Sequence, residues 1–173
     1  QRYQTRDYRV EGDYSQAAVM LCAGALGHEV RVTGLKADSA QGDARVLDWL
    51  AEMGAEVELT EDAAQCRPGS LHGIEIDGGD CPDILPMLAL TLCLAEGDGR
   101  ITHCGRLRLK ECDRLEATVT ELSRLGADIR LEGEDMVTRG RTRFAGGVTV
   151  DSRNDHRMAM MLAIAALHCE KPI

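Results

Sequence analysis

The sequence predicts an α/β (α+β) fold built from β-α-β-α-β-β units of about 70 residues, the third unit truncated. Two recurrences and one compositional fact predict it. A Gly-Ala pair closes a helix-like segment at Gly54-Ala55, in LAEMGAEVEL, and again 72 residues later at Gly126-Ala127, in LSRLGADIRL. An acid opens a helix-like segment at Asp13 (VEGDYSQAA), Asp83 (GGDCPDILP) and Asp155 (SRNDHRMAM), at shifts of 70 and 72. With one Trp, one Phe and three Tyr in 173 residues, the core must be made of Leu, Ile, Val, Ala and Met, which suits sheets covered by Ala- and Leu-rich helices.

The elements follow in chain order. An apolar helix is expected after Asp13, a strand at Val30-Arg31-Val32, and a second helix ending at Gly54. The second unit opens with a strand at Ile74-Glu75-Ile76, a polar turn and a helix over 84–95, then a strand at Arg100-Ile101-Thr102. Leu115, Val119, Leu122 and Leu125 fall at helical spacing, with Gly126 placed to cap the C-terminus. Two strands, 128–131 and 135–138, flank a turn at Gly133. The third unit begins with a strand at Val148-Thr149-Val150 and a helix over 156–167, giving units 9–76, 77–147 and an incomplete 148–173. One such unit cannot bury its helices alone, so helices should group centrally with sheets outside. No G-x-G-x-x-G or G-K-[ST] argues for a dinucleotide fold. The chain opens on Gln1 and stops at Ile173 just after a helix-like segment, so it reads as a single-domain fragment, 1–173.

A net charge of -9 without a long basic run argues against nucleic-acid binding. No apolar stretch reaches bilayer length, and QRYQTRDYRV is not a signal peptide, so no membrane partner and a cytoplasmic location are expected. Seven cysteines without a C-x-x-C pair encode neither a disulfide framework nor a zinc site, and read as reduced, mostly buried thiols.

Three clusters could carry chemistry. In RLRLKECDRLE, Lys110 and Arg114 lie four apart at a helix start and could hold a carboxylate or phosphate from one helical face, with Glu111 beside them as a proton donor or acceptor. On spacing alone, solvated first-turn residues with a Glu111–Arg114 pair account for them as well. In NDHRMAM, Asp155 suits an N-cap, while Arg157 offers a fork for a carboxylate and His156 a hydrogen bond or proton. In CPDILP, Pro82 and Pro86 stiffen the helix start around Asp83, which could serve as a cap or as a base.

Together, VEGDYSQAA, DCPDILP, RLKECDRL, LGADI and NDHRMAM, from about Tyr8 to Ile173, closely resemble the C-terminal half of the 5-enolpyruvylshikimate-3-phosphate synthase family. The resemblance implies an inverted α/β prism of two similar domains with the active site in the cleft between them. It also implies transfer of the enolpyruvyl group of phosphoenolpyruvate to the 5-hydroxyl of shikimate 3-phosphate, with release of phosphate, on the shikimate route to chorismate and the aromatic amino acids. No metal and no organic cofactor are implied. By the same resemblance Asp83 contacts the 5-hydroxyl and is its base, Lys110 touches shikimate 3-phosphate, and Glu111 exchanges a proton with the phosphoenolpyruvate methylene. Arg114 and Arg157 bind phosphoenolpyruvate and His156 supports them. Arg106 stands where some members carry an asparagine contacting shikimate 3-phosphate.

The implied partners are the two small anionic substrates and the N-terminal half of the same enzyme, with a monomer expected at full length and the isolated chain expected to be inactive. Both substrates are anionic and the chain is acidic, so Arg114, Arg157 and Lys110 are expected to create a local positive field. Two alternatives stand beside this. One is a UDP-N-acetylglucosamine enolpyruvyl transferase-like domain, against which the pairing of KECDR with NDHRMAM argues. The other is a non-catalytic binding domain of the same repeat fold, whose expected basic surface is missing.

Overall fold

Leu85–Cys93 (α3) is apolar on every side, and a helix of that kind is stable only when wrapped by others. All nine of its residues are buried. In the computed structural model, which describes residues 3–140 and 143–173, Tyr14–Leu26 (α1), Arg114–Leu125 (α4) and His156–Ala166 (α5) pack around it. Val46–Glu52 (α2) packs on α1. The helices are therefore central and the sheets lie outside them. No helix among the described residues is long and apolar enough to cross a membrane.

Three sheets carry the strands. Val30–Thr33 (β1), Ala63–Arg67 (β3) and Glu56–Leu59 (β2) form an antiparallel sheet in the order β1-β3-β2. Glu75–Asp77 (β4), Asp98–Thr102 (β5), Asp135–Arg139 (β7) and Ile129–Glu132 (β6) form the second, in which β4 runs parallel to β5. Phe144–Gly146 (β8) and Cys169–Lys171 (β9) pair in parallel across α5, as β4 and β5 do across α3. The first two sheets share one order apart from the leading strand. A backbone bond also recurs ahead of each acid: Gly12 N to Gly34 O, Gly78 N to Thr102 O, and Gly147 N to Pro172 O, at 2.7, 3.0 and 3.0 Å.

The helix terminators act as glycine predicts. Gly54 and Gly126 have φ of 102° and 106°, left-handed values that only glycine adopts without strain, and Gly126 N–H returns to the α4 carbonyls of Leu122 and Ser123.

One strand and one cap differ from expectation. Residues 148–150 are not a strand. The strand lies at Phe144–Gly146, because Gly146 and Gly147, at φ 63° and 73°, turn the chain away from its β9 partner before Val148. Asp13 and Asp155 cap α1 and α5, accepting from Ser15 N and Arg157 N at 2.8 Å each, but Asp83 caps nothing. It sits inside a 3-10 turn, Pro82–Ile84, with its carboxylate turned elsewhere.

Five cysteines are buried and two are partly so, all free thiols. Burial pushes the Cys22 and Cys93 thiols up to about 12, leaving them small core hydrophobes rather than nucleophiles.

Candidate active site

Two strained turns and one stiff turn deliver the site. His103, in the left-handed region at φ 57°, starts a 3-10 segment, Cys104–Leu109, that brings the chain to Lys110 in an extended conformation. Asp113 then caps α4 through Glu116 N, and an Arg108–Asp113 ion pair at 2.7 Å closes the loop between them. On the other side Arg153 and Asn154, both left-handed at φ 54° and 56°, turn the chain sharply so that Asp155 enters the interior at the start of α5. Left-handed non-glycine residues are costly and gather at functional sites. Pro82 and Pro86 stiffen the approach of Asp83.

These turns meet on Arg114, which is 1% exposed. Its Nε donates to Asp155 Oδ2 at 2.7 Å and Nη2 to Asp155 Oδ1 at 3.2 Å. Nη1 donates to Asp83 Oδ1 at 2.8 Å and Nη2 to Glu111 Oε2 at 2.5 Å. Lys110 Nζ reaches the same Asp83 oxygen at 2.9 Å. Lys110 and Arg114 thus converge, but not from one helical face: Lys110 precedes the helix, and what unites the pair is the Asp83 carboxylate between them. The Glu111–Arg114 pair expected from spacing forms as well.

Burial explains the stoichiometry. An uncompensated guanidinium in the interior costs several kcal/mol, so Arg114 requires carboxylates around it. Two of the cations, Lys110 and Arg114, are paired with three carboxylates (Asp83, Glu111, Asp155), so their share of the expected local positive field is neutralised within the chain itself. Burial alone would raise the Asp83 carboxyl, but the hydrogen bond from Lys110 and the charges of Lys110, Arg114 and Arg157 outweigh it and hold Asp83 below the ordinary carboxylate range. Asp155 follows the same logic: burial opposes its charge, while Arg114 and the Arg157 N–H lower it further.

Arg157 lies one link away, its own N–H on Asp155 and its guanidinium, largely buried, on Ser15. Its charge still reaches Asp83. His156 is at the rim, half exposed, with Nδ1 3.9 Å from Asp155 Oδ1. Arg106 is exposed and donates to Gly79 O at 3.1 Å.

The comparisons with known proteins agree on the kinship. The family model described as EPSP synthase (3-phosphoshikimate 1-carboxyvinyltransferase) matches residues 1–173. This chain belongs to the EPSP synthase family. Proteins named 3-phosphoshikimate 1-carboxyvinyltransferase from Clostridium novyi and Clostridioides difficile are 44% and 46% identical to it over 173 residues. The chain spans about 40% of the length of each. Among solved structures, EPSP synthase from Acinetobacter baumannii superposes with a TM-score of 0.80 at 26% identity, over 95% of this chain and 41% of that one. The enolpyruvyl transferase NikO from Streptomyces tendae does so with a TM-score of 0.73 at 25% identity, over 92% and 37%.

Sequence reasoning missed two members of this polar cluster in the EPSP synthase-family chain. Asp155 reads as a cap, and nothing in the spacing reveals that it neutralises Arg114 from 41 residues away. Ser15 gave no signal at all, since its partner Arg157 is 142 residues distant.

Proposed function

We propose that this chain supplies the C-terminal part of an enzyme that transfers the enolpyruvyl group of phosphoenolpyruvate to the 5-hydroxyl of shikimate 3-phosphate and releases phosphate. The observation that carries the reading is the single Asp83 oxygen shared by Lys110 and Arg114, with Glu111 on the same guanidinium. A carboxylate held ionised by two cations can accept a hydroxyl proton, provided the substrate presents its oxygen where those cations also position it.

In this reading Asp83 takes the proton as the 5-hydroxyl oxygen bonds to the enol carbon of phosphoenolpyruvate. Glu111, or a lysine in the part of the protein outside this chain, delivers a proton to the methylene carbon, giving a tetrahedral intermediate. In the second step the methyl carbon returns a proton to the group that supplied it, Asp83 passes its proton to the departing phosphate, and the C–O bond to phosphate breaks, restoring the double bond. Glu111 enters this cycle by leaving Arg114 when a phosphoenolpyruvate anion takes its place on the guanidinium. Arg114 and Arg157 bind phosphoenolpyruvate and Lys110 binds shikimate 3-phosphate, while His156 at the rim supports them. Because Lys110 and Arg114 are already balanced by carboxylates, much of the positive charge for two anionic substrates must come from Arg157 and from the other half of the cleft. The full-length protein is read as a cytoplasmic monomer, and this chain as units 9–76, 77–147 and 148–173.

The kinship with an enolpyruvyl transferase of another name, at a TM-score of 0.73, keeps a different acceptor as the second reading. Steady-state assays of the full-length protein decide between them. Phosphate release should require both phosphoenolpyruvate and shikimate 3-phosphate, and should fall by roughly 10²-fold or more in Asp83→Ala and Glu111→Ala. Phosphate release with a UDP-sugar acceptor and none with shikimate 3-phosphate would replace the reading.

A further inference from the structure

Arg157 and Arg114 are both buried, but they are held in opposite ways. Arg114 is surrounded by carboxylates, whereas Arg157 makes no ion pair within 4.0 Å among the described residues. Its guanidinium rests on neutral oxygens of one residue: Nη1 donates to Ser15 O at 2.7 Å and Nη2 to Ser15 Oγ at 2.6 Å. Asp13 fixes that serine. Ser15 Oγ donates to Asp13 Oδ1 at 2.6 Å and Ser15 N donates to the same oxygen at 2.8 Å. A hydroxyl has a single proton, so once Asp13 accepts it the lone pairs of Ser15 must face Arg157. The direction of the whole chain of bonds is set from Asp13.

Two of the five guanidinium N–H groups are engaged with Ser15, and among the described residues the other three have no acceptor, so they remain for a ligand. Around them lie Asp13, Asp43 and Asp83, close enough to feel the charge of Arg157 but not bonded to it. Asp43 even carries a buried oxygen, Oδ1, without a hydrogen-bond partner. A desolvated cation aimed by neutral acceptors, with donors to spare, is prepared for an incoming carboxylate, since a bidentate pair supplies the charge compensation that the protein withholds.

We infer that Asp13 and Ser15 are positioning residues that aim Arg157 at the carboxylate of phosphoenolpyruvate, which makes the N-terminus of α1 part of the site. This rests on the reading of Arg157 as a phosphoenolpyruvate ligand. It also enlarges the role of Asp13 from a helix cap to the anchor of a three-residue chain.

The test is steady-state kinetics on the full-length enzyme with both substrates varied. Ser15→Ala keeps the backbone carbonyl and removes only the hydroxyl. It should raise KM for phosphoenolpyruvate about tenfold, the loss expected for one hydrogen bond to a charged group, while KM for shikimate 3-phosphate and the thermal midpoint stay near wild type. Ser15→Thr, which restores a hydroxyl, should recover most of the loss. Asp13→Asn, still a good cap, should raise the same KM by a few-fold. Arg157→Lys separates two kinds of failure. If it raises KM for phosphoenolpyruvate and Ser15→Ala does not, the positioning inference is wrong and the proposed function stands. If neither variant moves that KM, Arg157 is not a phosphoenolpyruvate ligand and the inference falls with that role, while turnover that requires both substrates still carries the proposed function. A Ser15→Ala enzyme that loses stability and shifts both KM values equally would show a merely structural serine, and would also overturn the inference.

Discussion

Replacing Arg114 by methionine tests the electrostatic centre of this fold. Methionine fills a similar volume, so the change is mainly one of charge. Two of the three carboxylates on Arg114 reach solvent, Asp83 at 35% and Glu111 at 52%, and solvent screening leaves each of those pairs worth about 0–1 kcal/mol. Asp155 is different, with no exposure at all. Losing its cation leaves a buried carboxylate unpaired, for which about 3–5 kcal/mol is the usual cost. Arg114→Met should therefore destabilise by about 4 kcal/mol at pH 7, and Asp155→Asn, which keeps the cap on Arg157 N, by about 3 kcal/mol. The double variant removes both charges together and should lose only about 4 kcal/mol, a coupling of about 3 kcal/mol. The deficit of Arg114→Met should also shrink toward pH 4, because an orphaned Asp155 is relieved by taking up a proton. Urea denaturation of the full-length protein, followed by far-UV circular dichroism at several pH values, measures all three variants. Losses that add within about 0.5 kcal/mol would refute the reasoning.

Further outcomes are open to measurement. Asp83 and Asp155 are both held below the ordinary carboxylate range, so the unfolded chain binds protons more readily. The stability they contribute is complete above about pH 5 and is lost as pH falls below about 4 through the folded values, which urea midpoints from pH 3 to 7 will report. Gly126→Ala puts a side chain at φ 106°, where its Cβ meets nothing closer than 3.6 Å, so backbone strain alone should cost about 1–2 kcal/mol; an unchanged thermal midpoint would contradict that. Arg157→Ala in the full-length enzyme should raise KM for phosphoenolpyruvate more than it lowers kcat. The 173-residue chain alone should release no phosphate from the two substrates in a coupled assay, because only one side of the cleft supplies ligands, and full turnover would overturn that argument.

The sequence by itself determined the alternation of elements, because that information is local. Apolar spacing marks the helices, left-handed glycines end α2 and α4, and short acids cap α1 and α5. Periodicity at about 70 residues then gave the layering, since units that cannot bury their own helices must share a core. The family motifs pointed to Asp83, Lys110, Glu111, Arg114, His156 and Arg157 as candidate site residues. What only the tertiary structure decided is which charges balance which. Local rules make Asp83 a possible cap and set Lys110 and Arg114 on one helical face, yet Asp83 turns from its helix to bridge those two cations. Asp155 is a cap by every local rule and still spends both oxygens on Arg114, because a buried guanidinium must find carboxylates wherever the fold brings them. The contact of Ser15 with Arg157 spans 142 positions, and its cause lies in the packing of α1 against α5 around α3, which no pattern along the chain encodes.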